Sequence, residues 1–409
     1  MQSRNIIVTF LIMVLALSVL LSGCLKPEAS THEQGALVVD LTNLSESITR
    51  LTTNPGLDEN PVWSADGKRI FFESRPDLGV GRYGPECYIC VMDAYGSNLT
   101  RLANGTKPVV YLDKVFFQNK DYVPIDLWVM NTDGSNKKKL ASLNVTPLGF
   151  NPTISPDGTR ICYYTLYDTG YYWVQWKNDT WTRFDYEPYV DRQNMDILSR
   201  EVHADIFVMD ADGGNKTKIA SDIDLTCYGY SDLIWSPDGK RILFQTSKLS
   251  KDNPIENVDI WVMDTDGSNK KQLTNYSGHD TNPKWSSDGK KIAYRSGNLS
   301  NFDIWIMNPD GRDKKQLKTI ALISGFDWCP DGRKIAYISW LTKDPKAKEI
   351  WIMDANGSNK ELLLSVPCDP YRVGMGLAWS PDGSKIAFEY DMIDVVNSDI
   401  YVIDVQNRK

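Results

Sequence analysis

The residues best suited to chemistry in this 409-residue sequence are carboxylates that recur in short acidic turns. One such turn spans residues 264–269 (DTDGSN), and oxygen-rich turns of this kind can bind calcium. A calcium loop also needs a bidentate Glu about six residues beyond its Gly, whereas Lys or Leu follows here. The spacing therefore predicts tight turns and no metal. A separate ion held by Asp58, Glu59 or Asp280 is an alternative that no further residue supports.

Histidines are the next candidates, because imidazole serves both as a metal ligand and as an acid–base group. The chain has three, at His32, His203 and His279. Two of them without a clear third ligand make a weak metal site, so we predict that His203 and His279 are ordinary surface residues. No Gly-x-Ser-x-Gly motif is present, which excludes the nucleophile elbow of serine hydrolases.

Cysteine and glycine motifs add little chemistry. Cys87 and Cys90 are an odd number of residues apart on one predicted strand, so they face opposite sides and make a poor metal pair. We predict that Cys162 and Cys329 are buried, whereas Cys227 and Cys368 lie in connections where they could pair. Residues 79–84 (GVGRYG) match a dinucleotide fingerprint, but a predicted strand follows instead of a helix, so we predict no cofactor.

These residues are positioned by an internal repeat, whose first signature is Trp-Ser-x-Asp-Gly-Lys before an apolar run. Asp-Gly between two apolar runs predicts a hairpin, because Gly takes a positive φ at no steric cost. The signature occurs at residues 63–72, 154–164, 235–244, 285–294, 328–337 and 379–388.

The second signature is an aromatic and β-branched run that ends in an acidic turn, as in Asp259–Asn269 (DIWVMDTDGSN). Runs of this type start at Cys87, Asp126, Asp205, Asp259, Asp303, Glu349 and Asp399. A further short strand follows most of them. Trp235, Trp285, Trp328 and Trp379 are separated by 50, 43 and 51 residues. Four short strands in about 40 to 50 residues are typical of a propeller blade.

Both signatures resemble the repeat of the TolB family, whose blades contain W-S-P-D-G followed by an apolar run and D-I-Y-V-M-D-x-D-G-S-N. The resemblance covers roughly Ser47 to the C-terminus. It implies an all-β fold, a single β-propeller of four-stranded blades. It specifies function poorly, because related propellers occur in periplasmic scaffold proteins, in peptidases and in sugar lyases.

Seven second signatures predict seven blades, with six or eight as alternatives because residues 108–117 lack Ser-x-Asp-Gly. The C-terminus ends in a third strand at 399–404, whereas Ser47–Thr52 resembles a fourth strand without a preceding repeat. We therefore expect the N-terminal strand to complete the last blade and close the ring. The propeller is predicted over residues 36–409.

The N-terminus predicts export and lipid anchoring. Residues 1–24 carry Arg4, an apolar run from Ile6 to Leu21 and the sequence LSGC, which is typical of a lipoprotein signal with a lipidated Cys24. Residues 25–35 form a polar tether. An uncleaved anchor or a plain secretory signal are the alternatives, and all three place the propeller outside the cytoplasm. Nine Asn-x-Ser/Thr sequons would fit an archaeal envelope.

Strand order divides the propeller into two faces. If strands A to D run outward from the axis, the A–B and C–D turns share one face, which we call the Asp-Gly face. The B–C and D–A connections lie on the other, which we call the variable face because their lengths differ widely. Function concentrates in such connections, so we place the working surface there.

The largest of these connections, residues 165–204 in blade 3, combines aromatic and acidic residues, which suits recognition of a protein or a sugar. Its alternation also predicts an extra hairpin near Lys177–Asp179. The alternative is that the aromatics only pack against neighbouring blades. The predicted partner-binding residues are Tyr167, Tyr171, Tyr172, Trp173, Trp176, Trp181, Tyr186 and Tyr189.

Charge and motifs together favour a non-catalytic binding scaffold in the cell envelope. The net charge of −8 argues against nucleic-acid binding, which needs a basic surface. We expect a monomeric, lipid-anchored propeller that binds an envelope protein or a surface glycan. One alternative is a propeller lyase or hydrolase that acts on a polysaccharide or peptide with His203, His279 and mouth carboxylates. The other is a purely structural surface-layer component.

Overall fold

A computed structural model describes fourteen segments of the chain, and every regular element in them is a β-strand. The described residues are 47–76, 86–119, 125–143, 152–177, 180–184, 197–225, 233–250, 253–276, 278–298, 301–319, 322–341, 347–367, 376–391 and 398–406. Within these ranges, no helix is long and apolar enough to cross a membrane. The predicted all-β fold is confirmed.

The strands form seven blades of four strands each, and blade 3 carries one additional strand. The outer strand of blade 7 is the N-terminal β1 (Ile48–Arg50), which pairs with the last strand of the chain, β29 (Ser398–Asp404). Blade 1 contains β2 (Gly56–Trp63), β3 (Arg69–Pro76), β4 (Tyr88–Asp93) and β5 (Thr100–Asn104). Blade 2 contains β6 (Thr106–Tyr111), β7 (Lys114–Gln118), β8 (Ile125–Asn131) and β9 (Lys138–Leu143). Blade 3 contains β10 (Thr153–Ile154), β11 (Arg160–Lys177), β12 (Thr180–Phe184), β13 (Ile197–Asp210) and β14 (Thr217–Leu225).

The remaining strands belong to blades 4 to 7. Blade 4 contains β15 (Ile234–Trp235), β16 (Arg241–Ser250), β17 (Asn253–Asp264) and β18 (Lys271–Gln272). Blade 5 contains β19 (His279–Trp285), β20 (Ile292–Asn298), β21 (Asn301–Met307) and β22 (Lys315–Gln316). Blade 6 contains β23 (Leu322–Trp328), β24 (Lys334–Leu341), β25 (Ala347–Asp354) and β26 (Glu361–Pro367). Blade 7 is completed by β27 (Leu377–Trp379), β28 (Lys385–Asp391) and β29 (Ser398–Asp404).

The ring is closed by the N-terminal strand, as the sequence predicts. In β1, Ile48 lies opposite Ile403 and Arg50 lies opposite Tyr401. Each innermost strand contacts the innermost strand of the next blade, and β27 contacts β2. Seven blades closed in this way leave no unpaired blade edge at the junction of the two chain ends.

The Asp-Gly turns explain why the first signature folds as a hairpin. In blade 1, Gly67 has a φ of 68°, which glycine adopts without steric penalty. Asp66 accepts hydrogen bonds from the Ser64 hydroxyl at 2.6 Å and from the Lys68 amide at 3.1 Å. The Ser64 hydroxyl bond lowers the pKa of Asp66, so the turn is strongest with an ionised carboxylate.

The core lies between blades, where the two middle strands of each sheet are covered on both faces. In β3, Ile70, Phe71 and Phe72 are all buried, which explains an unbroken apolar run instead of strict alternation. The signature tryptophans join neighbouring blades. The indole of Trp63 donates to the Ala378 carbonyl of blade 7 at 3.1 Å, and that of Trp328 donates to the Lys284 carbonyl of blade 5 at 3.2 Å.

Candidate functional site

The most distinctive departure from the repeat is a sheet extension on blade 3. β11 has 18 residues, whereas the equivalent β3 in blade 1 has 8. Its distal part pairs with β13 as far as Val174 opposite Ile197, and with β12 from Trp173 opposite Phe184 to Lys177 opposite Thr180. We call the residues 166–184 and 197–204 the blade 3 extension. The predicted hairpin near Lys177–Asp179 is confirmed.

The extension corrects one expectation about its backbone. We treated residues 165–204 as a loop, but most of the described part is continuous antiparallel ladder. The physical reason is that aromatic and β-branched residues favour strands, so pairing continues past the point where the other blades end. One irregularity interrupts it, between Asp168 and Gly170.

The predicted partner-binding residues are distributed along this ladder. Tyr167 lies opposite His203, Trp173 lies opposite Leu198 as well as Phe184, and Trp176 lies opposite Trp181. Tyr171 and Tyr172 lie opposite Arg200 and Ser199. Tyr186 and Tyr189 fall outside the described residues, as does the predicted lipidation site Cys24. Partner binding by these aromatics remains a prediction.

His203 lies where the blade 3 extension joins the blade. Its Nδ1 atom lies 3.0 Å from carboxylate oxygens of both Asp222 and Asp224 on the neighbouring β14. The imidazole side chain is 14% exposed, so this cluster is partly shielded from water. These contacts join β13 to β14 at the point where the blade 3 extension begins.

Two buried clusters of carboxyl groups lie towards the variable face of the blades, and the sequence analysis named only some of their residues. The first joins blades 7 and 1. Asp399 accepts hydrogen bonds from Arg50 Nη2 at 2.5 Å and from the Thr52 hydroxyl at 3.2 Å. Thr52 Oγ1 in turn accepts the Ile400 amide at 2.9 Å. The closing strand is therefore held by side chains as well as by backbone pairing.

The second cluster repeats this arrangement between blades 4 and 5. Asp259 accepts from the Thr274 hydroxyl at 3.3 Å and from Gln272 Nε2 at 2.8 Å, and Thr274 Oγ1 accepts the Ile260 amide at 2.9 Å. The signal for both clusters is present in the sequence. The Asp that begins the second signature pairs with a Thr two residues beyond the fourth strand, whether the fourth strand is local or comes from the N-terminus.

A second carboxyl group adjoins each cluster from the next blade. Asp58 and Asp280 occupy the same repeat position, five residues before Trp63 and Trp285, and each has almost no exposed surface. Burial raises the pKa of both carboxyls, although hydroxyl groups such as Thr52 beside Asp58 and Ser296 beside Asp280 oppose the shift. At these two junctions the sheets of adjacent blades are joined by parallel pairing of Leu57 with Ser398 and of Val258 with His279.

Asp399 has the most perturbed carboxyl of the first cluster. Burial raises its pKa to about 6, against the opposing effect of Arg50, and nearby Asp58 adds to the rise. Such a carboxyl can act as a general acid at neutral pH when a substrate reaches it. Asp399 and Asp58 are both 0% exposed, so in this structure they hold two blades together.

Further polar side chains towards the variable face accept hydrogen bonds from main-chain amides of the next blade. Where strand A bulges, an amide donates to the side chain of the fifth residue of strand B in the preceding blade. These bonds run from Asn60 to Glu389 at 2.8 Å and from Lys107 to Glu73 at 2.9 Å. The equivalent bond from Asn282 reaches Gln245 at 2.8 Å.

The acidic turns are held by contacts within each turn. In blades 1, 3, 4 and 6 the first carboxylate accepts a hydrogen bond from the Asn that ends the same turn, as Asp264 does from Asn269 at 2.7 Å. In blade 5 the two residue types are exchanged, and Asn308 donates to Asp313 at 2.6 Å. These segments are therefore self-contained turns, as predicted. Among the residues the structure describes, no three His, Cys, Asp or Glu side chains form a metal-binding group.

One histidine prediction is wrong. We expected His279 on the surface, but it is 6% exposed and its ring centroid lies 6.3 Å from that of Phe302. The reason is the parallel pairing of His279 with Val258, which places the residue inside the junction of blades 4 and 5. Burial lowers its pKa.

The cysteine prediction is confirmed where it can be compared. Cys162 and Cys329 are buried thiols, as are Cys87 and Cys90. Burial raises the pKa of Cys90 to about 12, which makes the thiolate scarce at neutral pH. Cys227 and Cys368 lie outside the described residues.

A cleft between blades 1 and 2 is a further candidate site that the sequence did not indicate. Its volume is about 330 Å³. Arg101, Asn104, Asn119, Trp128 and Lys137 line it with apolar residues beneath. An aromatic ring flanked by cations and amides suits an acidic sugar or a carboxylate. Lys137 is partly engaged, because its ammonium donates to the Leu102 carbonyl at 2.6 Å.

Comparison with known proteins identifies the fold and leaves the family open. No family model matches the chain. Dipeptidyl-peptidase 5 of Porphyromonas gingivalis is 27% identical over 238 residues, which cover 47% of this chain and 34% of that protein. An uncharacterized protein of Agrobacterium fabrum is 25% identical over 196 residues, covering 45% of this chain and 60% of its own length. The chain therefore spans between about a third and three fifths of these curated relatives.

Solved structures show the fold more completely. An oligogalacturonate lyase in complex with manganese has a TM-score of 0.59 at 14% identity, covering 88% of this chain and 93% of its own. TolB from Acinetobacter baumannii covers 87% of this chain and 80% of its own at 16% identity, but its TM-score is only 0.46. The similarity to the lyase supports a β-propeller fold and does not choose between a catalytic and a non-catalytic function.

Proposed function

We propose that this chain is a non-catalytic binding scaffold of the cell envelope, anchored through Cys24, and that the blade 3 extension recognises an envelope protein or a surface glycan. The observation that carries the proposal is the extension itself. β11 has ten residues more than β3 (18 against 8). At about 3.4 Å per residue, these add roughly 34 Å of strand to one blade.

The composition of the extension supports recognition. It combines Tyr and Trp with Asp and Arg, and such residues provide large contact area with few rotatable bonds and polar groups at the edge. Its base is fixed, because His203 lies 3.0 Å from both Asp222 and Asp224 on β14. A rigid base lowers the entropic cost of binding.

The polar groups at the variable end support the non-catalytic half of the proposal. Asp399, Asp259 and Glu389 accept hydrogen bonds that join strands or blades. His203 and His279 contact different residues in blades 3 and 5, so their recorded contacts do not converge on one acid–base site.

An enzyme that acts on a polysaccharide or peptide is the second candidate function. Two observations favour it: the pKa of Asp399 near 6, and the similarity to a lyase and a peptidase. It requires a substrate to reach Asp399. An Asp399→Asn variant, compared with the unsubstituted protein on acidic oligosaccharides and on dipeptide substrates, tests it directly.

The proposed function is tested by a cross-linking pull-down from native envelopes. The intact protein is compared with a shortened variant in which an Asn-Gly turn joins Asp168 to Val202, which lie opposite each other in the ladder. A Tyr276→Ala variant is the matched control, because Tyr276 is exposed at 56% on the variable face of another blade.

All three proteins must show the same melting transition before capture is compared. Capture by the intact and Tyr276→Ala proteins, with loss in the shortened variant, supports the proposal. Equal capture by all three contradicts the assignment of the blade 3 extension as the binding site.

A further inference from the structure

Exposed apolar side chains are few in the described part of the chain, and three of them lie in turns of the Asp-Gly face on two adjacent blades. Tyr95 is 79% exposed, Leu99 is 51% exposed and Leu112 is 61% exposed. Tyr95 and Leu99 lie in the C–D turn of blade 1, and Leu112 lies in the A–B turn of blade 2. We call these three residues the basal patch.

Tyr95 replaces a residue with a structural task in the other blades. At the equivalent turn position, Asp266 accepts the Ser268 amide at 2.9 Å, and Asp133 accepts the Ser135 amide at 2.9 Å. A tyrosine side chain cannot make this bond. Blade 1 therefore gives up a turn-stabilising contact and exposes an aromatic ring in its place.

Leu99 is a second departure in the same turn. The equivalent residue is Lys in five other blades, at Lys137, Lys216, Lys270, Lys314 and Lys360. A half-exposed leucine in place of a solvated lysine gains little for folding, because most of its apolar surface stays in water.

Leu112 departs from the repeat in its backbone as well. It lies in the two-residue turn between Tyr111 and Lys114, with a φ of 50°. This conformation suits Gly or Asn in such hairpins and is strained for a branched side chain. An exposed leucine held there points to a role outside the fold.

The chain enters the propeller beside this patch. The first described residue, Ser47, accepts the Asp404 amide at 2.8 Å at the Asp-Gly end of β29. Ser47 and Thr49 line a small cavity of about 120 Å³ together with Tyr95 and Lys385. The segment that leads back to Cys24 therefore leaves the propeller next to Tyr95.

The charge of the Asp-Gly face suits an anionic surface. In blades 1, 4, 5 and 6 the A–B turn carries two Lys or Arg residues beside one Asp, as in Asp288, Lys290 and Lys291. Asp288 accepts the Ser286 hydroxyl at 2.7 Å and the Lys290 amide at 3.0 Å, so part of its charge is used within the turn. Each of these four A–B turns therefore carries a net positive charge in a chain whose net charge is −8.

We infer that the basal patch rests on the membrane surface to which Cys24 is anchored, with Tyr95, Leu99 and Leu112 at the level of the lipid headgroups. The inference rests on the lipid anchor of the proposed function. Aromatic and aliphatic side chains flanked by cations are typical of interfacial contacts with anionic lipid. The variable face and its blade 3 extension then point away from the membrane.

Because the chain is tethered at Cys24, a weak contact between the basal patch and the membrane is sufficient to orient the propeller. Between Cys24 and Ser47 lie 22 residues, and a chain of this length reaches at most about 75 Å when fully extended. A tether this short keeps the patch at high effective concentration at the lipid surface. A few exposed side chains can then set the orientation without binding the membrane alone.

The test places an environment-sensitive fluorophore on full-length protein bound to vesicles. One fifth of the phospholipid in these vesicles is anionic, and a spin label on the lipid headgroups quenches a fluorophore that lies near them. The probe is attached through Leu99→Cys. Tyr276→Cys, exposed on the opposite face, carries the control probe, and unsubstituted protein gives the background of native thiols. We expect quenching at position 99 to be at least about fivefold greater than at position 276. Equal quenching at both positions overturns the inference.

Mass spectrometry of the N-terminal peptide separates the patch from the anchor. Lipidated Cys24 without selective quenching at position 99 leaves the anchor standing and overturns the inference. Selective quenching with an unmodified Cys24 supports the patch and contradicts the anchor. Protection of position 99 that appears only with envelope proteins, and not with lipid, also overturns the inference, because the occupant is then a protein.

Discussion

Thr52 offers the sharpest perturbation of ring closure. Its side chain is 2% exposed and joins the N-terminal segment to β29: the hydroxyl donates to Asp399 at 3.2 Å and accepts the Ile400 amide at 2.9 Å. Thr52→Val keeps the shape and removes both hydrogen bonds. Thr52→Ser keeps the hydroxyl and removes one methyl group.

The expected magnitudes follow from those contacts. Leaving the buried Ile400 amide without a partner costs about 1–3 kcal/mol, whereas Asp399 keeps its hydrogen bond from Arg50. We therefore expect Thr52→Val to lower the free energy of unfolding by about 2 kcal/mol. Loss of one buried methyl in Thr52→Ser costs about 0.8 kcal/mol. Valine should thus be worse than serine, although it is closer to threonine in volume.

The matched control is Thr274, which makes the same two contacts in an internal blade with Asp259 at 3.3 Å and the Ile260 amide at 2.9 Å. Urea unfolding of both valine variants measures the two losses. Equal losses are expected if the N-terminal strand is a full member of blade 7. A loss at Thr274 with a change within about 0.5 kcal/mol at Thr52, as for a surface substitution, would refute the closure.

Further predictions concern pH, turn sterics and the basal patch. Because the pKa of Asp399 is raised to about 6 in the folded protein, the contribution of its protonated form to the free energy of unfolding is fully present below about pH 4 and is lost as the pH rises towards 6. At about 1.4 kcal/mol per pKa unit this contribution is at most about 3 kcal/mol, and Asp399→Asn should remove this pH dependence from the unfolding free energy. Gly158→Ala should lower the free energy of unfolding in urea by about 1–2 kcal/mol more than Gly239→Ala. The φ values of 71° and 67° give both substitutions the same backbone strain, but a Cβ at Gly158 would lie 2.1 Å from Tyr111, whereas a Cβ at Gly239 would lie 3.8 Å from Pro156. Equal costs would contradict the packing of Tyr111 on that turn. Tyr95→Asp should restore the turn bond seen at Asp266 and keep or raise the melting temperature; a clear fall would show that Tyr95 stabilises the fold.

The fold could be predicted from the repeat because each structural feature of the repeat has a local cause in the sequence. Asp-Gly turns such as Asp66-Gly67 set the hairpins, and apolar runs such as Ile70–Phe72 identify strands covered on both faces. The unmatched strand Ser47–Thr52 and the incomplete last repeat predicted closure, because each supplies what the other lacks. Even the self-contained acidic turns followed from the absence of a distal Glu.

Features that depend on contacts between blades were not predictable from one repeat. The burial of His279 follows from its parallel pairing with Val258, which belongs to another blade. The pKa of Asp399 is raised mainly by burial at the blade junction and further by Asp58 from the next blade, against the opposing effect of Arg50 from the N-terminal strand. The ladder of the blade 3 extension was hidden because its register shifts between Asp168 and Gly170 and its composition resembles a recognition loop.

The most direct measurement of the central claim is photo-cross-linking in living cells, with a photoreactive amino acid at Trp176 on the blade 3 extension and, separately, at Tyr276 on the same face. A binding scaffold that works through the extension predicts a discrete cross-linked species at position 176 and none at position 276. The species should disappear when Trp181, opposite Trp176 in the ladder, is replaced by Asp. Cross-links of equal yield at both positions, or at position 276 alone, would contradict the account.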